Sequence, residues 1–163
     1  LWQAFAKSNG IEFSQLIPML DLCAISIAAD LVPIMGENRI LAYHGLRQLN
    51  NSPSTGVKAL MEVCGLKDKE ISLGDIIFKI GPRINASGRM QTGNEAVALL
   101  IEKDQSMAKE LAERINEYNE QRKDLDKSMT EEANRIVKTL EHQHEHKSIV
   151  LFNEEWHRGI IDS

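Results

Sequence analysis

The first residue of this sequence that could carry chemistry is an aspartate at the end of an apolar run. Asp30 lies at the end of the run IPMLDLCAISIAADL, where an unpaired buried charge would be costly. Its carboxylate must therefore be solvated, paired with a cation or bound to a metal ion. A turn aspartate that ends a helix explains the same position without any function, because aspartate is common in turns.

The segment GPRINASGR, residues 81–89, contains a second group of polar side chains. Arg83, Asn85 and Arg89 stand among small residues, which let the backbone come close to a ligand. A guanidinium suits a phosphate because its planar fork donates two parallel hydrogen bonds. The same arginines could instead pair with nearby carboxylates at a tight junction. With its glycines and proline, the stretch 81–94 is predicted to be a loop.

The third group is Trp156-His157-Arg158-Gly159, after an apolar stretch. An aromatic ring beside His157 and Arg158 could stack on a base and hold a phosphate, although the composition equally fits a turn. The histidine-rich segment 142–147 could bind a metal weakly, but such segments are more often solvated linkers. His44 lies on an apolar helical face and is expected to be a satisfied core residue.

Composition narrows the classes of protein that these groups could belong to. With 163 residues, of which 42% are hydrophobic, the chain can bury a core. The net charge of −5 argues against a protein that coats duplex phosphates, so any nucleic-acid contact must be local. Apolar runs such as 22–29 are too short to span a bilayer. Cys23 and Cys64 lack CxxC spacing, and we expect a cytoplasmic protein.

Apolar periodicity predicts that most of the chain is helical. Helices are expected at 1–8, 17–31, 36–50, 55–65 and 95–102. At 71–80 strand and helix compete, and helix is favoured. From about Asp104 to His142 apolar residues recur three, four or seven apart without Gly or Pro, which predicts one helix of about 50 Å with a narrow buried seam. The run SIVLF, residues 148–152, predicts a strand that begins a new domain.

Three stretches together resemble, in order and spacing, the single-stranded-DNA exonucleases of the DHH phosphoesterase family. They are LDLCAISIAADLVPIMGENRILAYHGLRQLN, DIIFKIGPRINASGRM and EEWHRGII, and the resemblance covers nearly the whole chain. It implies a mainly α internal fragment of an α/β enzyme. The implied divisions are the end of the DHH catalytic domain (1–103), a long connecting helix and turn (104–146) and the start of the DHH-associated C-terminal domain (147–163).

The same resemblance implies a function and a set of site residues. The activity would be 5′-to-3′ hydrolysis of single-stranded DNA in recombination and repair, with two Mn²⁺ or Mg²⁺ ions. Asp30 matches the last metal-ligating aspartate of the catalytic domain. The matching nucleic-acid-binding positions are Arg83, Asn85, Arg89, His157 and Arg158. After His157 and Arg158, the ending Gly-Ile-Ile-Asp-Ser departs from the family's usual continuation.

The remaining ligands of such a centre are not in this sequence. No Asp-His-His triplet occurs, and one aspartate cannot hold two metal ions. We therefore expect the family's other ligands N-terminal to Leu1 and no activity from this chain alone. Besides single-stranded DNA, the expected partners are repair proteins such as a helicase or a single-strand-binding protein. An uncovered seam on the long helix could also drive dimerisation.

The sequence leaves two other functions open. A DHH phosphodiesterase acting on oligoribonucleotides or cyclic dinucleotides would share the metal site, although such relatives usually connect their domains by shorter segments. A non-catalytic helical scaffold would share the fold and lack the ligands. The residues that precede Leu1 would distinguish this scaffold from an enzyme.

Overall fold

Helices form nearly all of the regular structure in this chain. The structure, a computed structural model, describes residues 2–140 and 148–161. Its α-helices are α1 (Trp2–Ser8), α2 (Leu20–Ala29), α3 (Gly36–Asn51), α4 (Thr55–Val63), α5 (Leu73–Asp75), α6 (Gly81–Met90), α7 (Asn94–Ile101), α8 (Gln105–Leu140) and α9 (Arg158–Ile161). Two 3₁₀ turns, Phe13–Gln15 and Ile17–Met19, precede α2, and a π-helical segment, Ile76–Ile80, joins α5 to α6.

The pair α2 and α3 packs closely because a glycine lies where the two helices cross. A Cβ atom added to Gly45 in α3 would collide with the main-chain oxygen of Leu20 and would lie 2.7 Å from the Cβ of Ala24. Ala24 in α2 and Leu49 in α3 are fully buried. The turn between the two helices therefore carries Asp30 at a fixed place on the surface.

A common hydrophobic core joins α2 to the helices that follow. The helix α8 packs against α4, α6 and α7, and its buried residues lie between Ala108 and Asn119. The largest buried apolar side chains of the core are Leu49, Val57, Leu60, Leu66, Ile71, Ile76, Ile80, Leu99 and Ile115. The helices predicted from apolar periodicity are confirmed, including the one expected at 71–80. None of the described helices is long and apolar enough to cross a membrane.

The two halves of α8 differ in their packing. Ala108, Leu111, Ala112 and Ile115 are buried, and Asn119 is the last buried residue of the helix. Within 120–139 every side chain is half-buried or exposed. With 36 residues the helix is about 54 Å long, which confirms a continuous helix with a narrow seam. The domain boundaries and the dimerisation predicted from the sequence stay predictions.

The predicted strand at 148–152 is wrong. No strand occurs in the described ranges, and these residues form neither helix nor sheet. A strand needs a neighbouring strand to pair its N–H and C=O groups, and the described part of the chain offers none. Val150 and Phe152 are mainly exposed. The β-branched and aromatic composition therefore misled, because it does not show whether a partner strand is present.

The predicted loop at 81–94 is also largely wrong, because residues 81–90 form α6. Pro82 has no amide hydrogen to close a bond to residue 78, and the π-helical segment lies immediately before it. Gly81 permits close packing, since a Cβ there would lie 3.1 Å from the Cβ of Ala29. Only the turn at 91–93, with Gly93 at a φ of +74°, is a loop.

Two smaller expectations also need correction. His44 is exposed, not buried, and its ring lies edge-on against Tyr43 with 5.1 Å between the ring centroids. Cys23 and Cys64, which lie in apolar helical patterns that favour buried small hydrophobes over a disulfide or zinc site, are free thiols and are only half-buried. The histidine-rich segment 142–147 lies outside the described residues.

Candidate functional site

Asp30 caps the C-terminal end of α2 on a strained stretch of backbone. Its N–H donates to the carbonyl of Ser26 at 3.1 Å. The next residue, Leu31, adopts a φ of +51°, a left-handed conformation that costs a residue other than glycine about 1–2 kcal/mol. Leu31 is 70% exposed, so burial does not explain this conformation. Strain of this kind is concentrated at functional sites.

The carboxylate of Asp30 is exposed and has no partner within the described residues. No ion pair or side-chain hydrogen bond there involves it. Ala29, the preceding residue, lies against Gly81 at the start of α6. The carboxylate is therefore displayed at the surface beside the N-terminal end of α6, where a ligand could reach it.

Arg83 is directed into the contact between α6 and α8. Its Nε donates to Oδ1 of Asn116 at 2.9 Å, and its Nη1 donates to the carbonyl of Lys79 at 2.8 Å. The thiol of Cys64 also lies 3.5 Å from the Lys79 carbonyl, and burial raises the pKa of this thiol. The carbonyl of Lys79, in the π-helical segment, therefore accepts hydrogen bonds from two side chains.

Asn85 and Arg89 lie one turn apart on α6, beside α7. Asn85 is exposed, and both residues line an open cleft of about 550 Å³. The other residues that line the cleft are Ile84, Gly88, Gly93, Ala96, Val97 and Leu100. Arg89 donates from Nη1 to the carbonyl of Gly159 at 3.1 Å. One face of α6 therefore offers a polar edge to this cleft while Arg89 also holds the segment around α9.

His157 and Arg158 stand between two points at which their segment is attached. Before them, the indole of Trp156 donates to a carboxylate of α8, and after them Gly159 is held by Arg89. Arg158 is exposed, whereas His157 is half-buried and its Nδ1 has no hydrogen-bond partner in the described part of the chain. The exposed guanidinium is thus the freer of the two for a ligand.

The helix α6 brings the three candidate groups together. Asp30 lies at its N-terminal end, Arg83 to Arg89 lie along it, and His157 and Arg158 lie at its C-terminal end. The helix between these groups has 10 residues and is about 15 Å long. Such an arrangement could contact successive phosphates of an extended strand. The assignment of these residues to metal or nucleic acid stays a prediction.

The described residues supply one possible ligand for a divalent metal ion and not a complete site. Nowhere in 2–140 and 148–161 do three His, Cys, Asp or Glu side chains come together. Asp30 has the chemistry that Mg²⁺ or Mn²⁺ prefers, because carboxylate oxygen is a hard donor, and its oxygens are exposed. It fits the position of one ligand among several.

Sequence reasoning missed two carboxylates, those of Asp21 and Glu132. Asp21 is fully buried in α2, where Oδ1 accepts from the N–H of Leu22 at 2.7 Å and Oδ2 accepts from the N–H of Ser54 at 2.9 Å. Its charge thus lies at the N-terminal end of α4, which is a favourable place for an anion. A charged residue inside an apolar run is the signal that could have revealed it. The second missed carboxylate is that of Glu132 in α8, which accepts hydrogen bonds from the segment after that helix.

The comparison of this sequence with known proteins identifies exonucleases specific for single-stranded DNA as the class it resembles. No family model matches the chain. The relatives named RecJ include that of Escherichia coli (strain K12), 31% identical over 98% of this chain and 28% of its own length. That of Haemophilus influenzae is 36% identical over 88% of this chain and 25% of its own length.

Solved structures of RecJ are also similar to this chain. RecJ from Thermus thermophilus in complex with Mg²⁺ matches 97% of this chain with a TM-score of 0.77 and 29% identity, over 24% of its own length. An exonuclease RecJ bound to manganese matches 98% with a TM-score of 0.78, over 39% of its length. The resemblance predicted from the sequence is therefore confirmed, and the chain is similar to a segment of RecJ that spans about a quarter of its curated relatives.

Proposed function

We propose that this chain is part of a metal-dependent DHH-type exonuclease that degrades single-stranded DNA from 5′ to 3′ in recombination and repair. The observation that carries the proposal is the exposed carboxylate of Asp30 beside α6, which has no partner among the residues that the structure describes, in a chain similar to RecJ over nearly all its length. The setting would be the cytoplasm. Partners such as a helicase or a single-strand-binding protein belong to the same proposal.

In this proposal Asp30 contributes oxygen ligands to a centre of two Mn²⁺ or Mg²⁺ ions. When bound, such ions would lower the pKa of a water and stabilise charge on the phosphate. The other ligands would come from parts of the protein outside this chain, because one carboxylate cannot hold two ions. Solved RecJ structures with Mg²⁺ and with Mn²⁺ support the choice of metal. The chain alone would be inactive.

The other side chains of the site would bind and orient the strand. Arg158 is exposed, and Asn85 and Arg89 line the cleft beside α7, so these residues could contact phosphates at increasing distance from Asp30. Arg83 has two internal partners and would act mainly by fixing α6. His157 is half-buried, and its Nδ1 is buried and has no hydrogen-bond partner among the described residues, so Arg158 would make the more direct contact with the strand. Local contacts of this kind suit a chain whose net charge is −5.

The test is the substitution Asp30→Ala in the whole protein. Loss of a ligand from a metal centre costs several kcal/mol of transition-state stabilisation, so hydrolysis of single-stranded DNA should fall about a thousandfold or more. The melting temperature should change by less than ~2 °C, because an exposed side chain without partners is removed.

The matched control is Asp124→Ala, which removes an exposed carboxylate from α8 and should leave the rate unchanged. Full activity of the Asp30→Ala protein would refute the metal-ligand assignment. The wild-type protein should also degrade a 5′-phosphorylated DNA strand faster than a dinucleotide. The opposite preference would favour the phosphodiesterase alternative, and no hydrolysis of either would favour a scaffold.

A further inference from the structure

Glu132 is the point at which the segment after α8 is attached to that helix. Its Oε1 accepts a hydrogen bond from Nδ2 of Asn153 at 2.8 Å, and its Oε2 accepts one from Nε1 of Trp156 at 2.8 Å. Both oxygens of one carboxylate are therefore used by residues 21 and 24 positions away in sequence. Hydrogen bonds to an ionised carboxylate are about twice as strong as neutral ones.

Asn153 shapes the turn that brings Trp156 to this carboxylate. Its Oδ1 accepts from the N–H of Glu155 at 2.8 Å, and its carbonyl accepts from the N–H of Trp156 at 3.2 Å. One Asn side chain thus closes the turn with its oxygen and binds Glu132 with its nitrogen. The amide group of Asn serves both purposes, and a carboxylate could serve only the first.

A second attachment follows directly on the other side of His157 and Arg158. Arg89 in α6 donates to the carbonyl of Gly159, and a Cβ added to Gly159 would lie only 2.5 Å from the carbonyl oxygen of Arg89. The two backbones therefore touch. The contacts of Trp156 with α8 and of Gly159 with α6 enclose a two-residue span, in which Arg158 is exposed.

We propose that Glu132 is a positioning residue for the nuclease reaction: by binding Asn153 and Trp156 it holds His157 and Arg158 at the C-terminal end of α6, where they can contact the DNA strand. The role in the reaction rests on the proposed function, whereas the attachment itself does not. The expected effect of losing Glu132 is weaker capture of the strand with little change in the chemical step.

The attachment can be tested in this chain by the fluorescence of Trp156. The sequence has two tryptophans, so Trp2→Phe leaves Trp156 as the only reporter. Glu132→Gln replaces one acceptor oxygen by an NH₂ group. Because this group cannot accept a hydrogen bond, either Nδ2 of Asn153 or Nε1 of Trp156 loses its acceptor. We expect a red shift of the emission and about twofold greater quenching by acrylamide, with unchanged helical circular dichroism.

Glu131→Gln is the matched control, because it makes the same change on an exposed neighbour in α8. It should leave the emission as it is. A second variant, Asn153→Asp, keeps the oxygen that closes the turn but places an acceptor against Glu132, and it should give the same red shift. Unchanged emission in both Glu132→Gln and Asn153→Asp would overturn the attachment.

The positioning role is tested by kinetics in the whole protein. Glu132→Gln should raise KM for a single-stranded oligonucleotide about tenfold with kcat within twofold, and should not alter the hydrolysis of a dinucleotide too short to span α6. Trp156→Phe should act similarly, and the double variant should be no worse than either single one.

The outcomes separate the two proposals. A red shift with unchanged KM would show that the attachment is structural only and would overturn the positioning role. A red shift in a protein whose wild type cleaves no DNA would refute the proposed function, and with it the role of Glu132 in catalysis, and leave the attachment standing. A loss of kcat with unchanged KM would also contradict the positioning role.

Discussion

The C-terminal end of α2 and the helix α6 lie side by side, but they use their polar side chains in opposite ways. Asp30 at the end of α2 is exposed and has no partner within the described residues. In α6, Arg83 binds Asn116 and the carbonyl of Lys79, and Arg89 binds the carbonyl of Gly159. The two arginines hold other parts of the molecule together, whereas the side chain of the aspartate joins no other part of the described structure.

This difference indicates which side chains are available for ligands. A charged side chain with no partner in the described ranges contributes little to their folding, and the left-handed backbone at Leu31 beside it is a cost that packing there does not explain. Arg83 and Arg89 contribute to the fold, so any contact they make with DNA must share their donors. A guanidinium has five N–H donors, and Arg89 uses one of them on the carbonyl of Gly159, which leaves others for a phosphate.

The largest effect is expected from a matched pair of glycine substitutions. One is in α3, where it crosses α2, and the other is in α6. Gly45→Ala places a methyl group against the main-chain oxygen of Leu20 and should force α2 from α3, which would displace Asp30. Overpacking against backbone should destabilise the chain by about 3 kcal/mol. Gly88→Ala in α6 meets nothing within 4 Å and should stabilise it by about 0.5–1 kcal/mol, because alanine favours helix.

Urea denaturation of the two variants measures both changes. Equal destabilisation by Gly45→Ala and Gly88→Ala would mean that the close approach of α2 and α3 is not real. A stable Gly45→Ala protein would equally remove the idea that this crossing fixes the position of Asp30. The sign of the difference is therefore as informative as its size.

A smaller effect should distinguish two neighbours in α6. Arg83→Ala leaves Oδ1 of Asn116 and the carbonyl of Lys79 without this donor, and should cost about 2 kcal/mol. Asn85→Ala removes an exposed side chain from the cleft and should change stability by less than ~0.5 kcal/mol. In the whole protein both should weaken binding to single-stranded DNA. Equal stabilities would show that Arg83 does not join α6 to α8.

Periodicity predicted the helices well because apolar side chains at helical spacing leave few other ways to bury them. Leu111 and Ile115 in α8, for example, are both buried as the stripe required. The same stripe includes Met107, which is 46% exposed, whereas the adjacent Ala108 is fully buried. Pattern alone gives the face of a helix and not the place where its neighbours end.

The candidate site was predictable as a set of residues but not as an arrangement. Gly81 and Pro82 suggested a loop, because composition does not reveal that a glycine is needed for contact with Ala29. Likewise, nothing in the sequence pairs Glu132 with Trp156 across 24 residues. Such pairings depend on the register between helices and extended segments, which appears only in three dimensions.

The smallest predicted effect compares two aspartates, one with partners and one without. Asp75 accepts from Nζ of Lys79 at 2.7 Å and from the Oγ and N–H of Ser72, and these bonds hold its pKa below the usual 3.8. A carboxylate with a lowered folded pKa stabilises the chain fully above about pH 4–5, and this contribution is lost as the pH falls through the folded pKa.

Asp75→Asn should therefore destabilise the chain at pH 7 by less than about 1 kcal/mol, because the ion pair is at the surface, and this difference from wild type should shrink as the pH falls below about 4. Asp30→Asn removes no ion pair or side-chain hydrogen bond of the described residues and should change stability at pH 7 by less than about 0.5 kcal/mol. Thermal unfolding between about pH 7 and pH 2 measures both. A constant difference for Asp75→Asn would mean that its ionised form is not what caps α5, and the contrast with Asp30 would then rest on geometry alone.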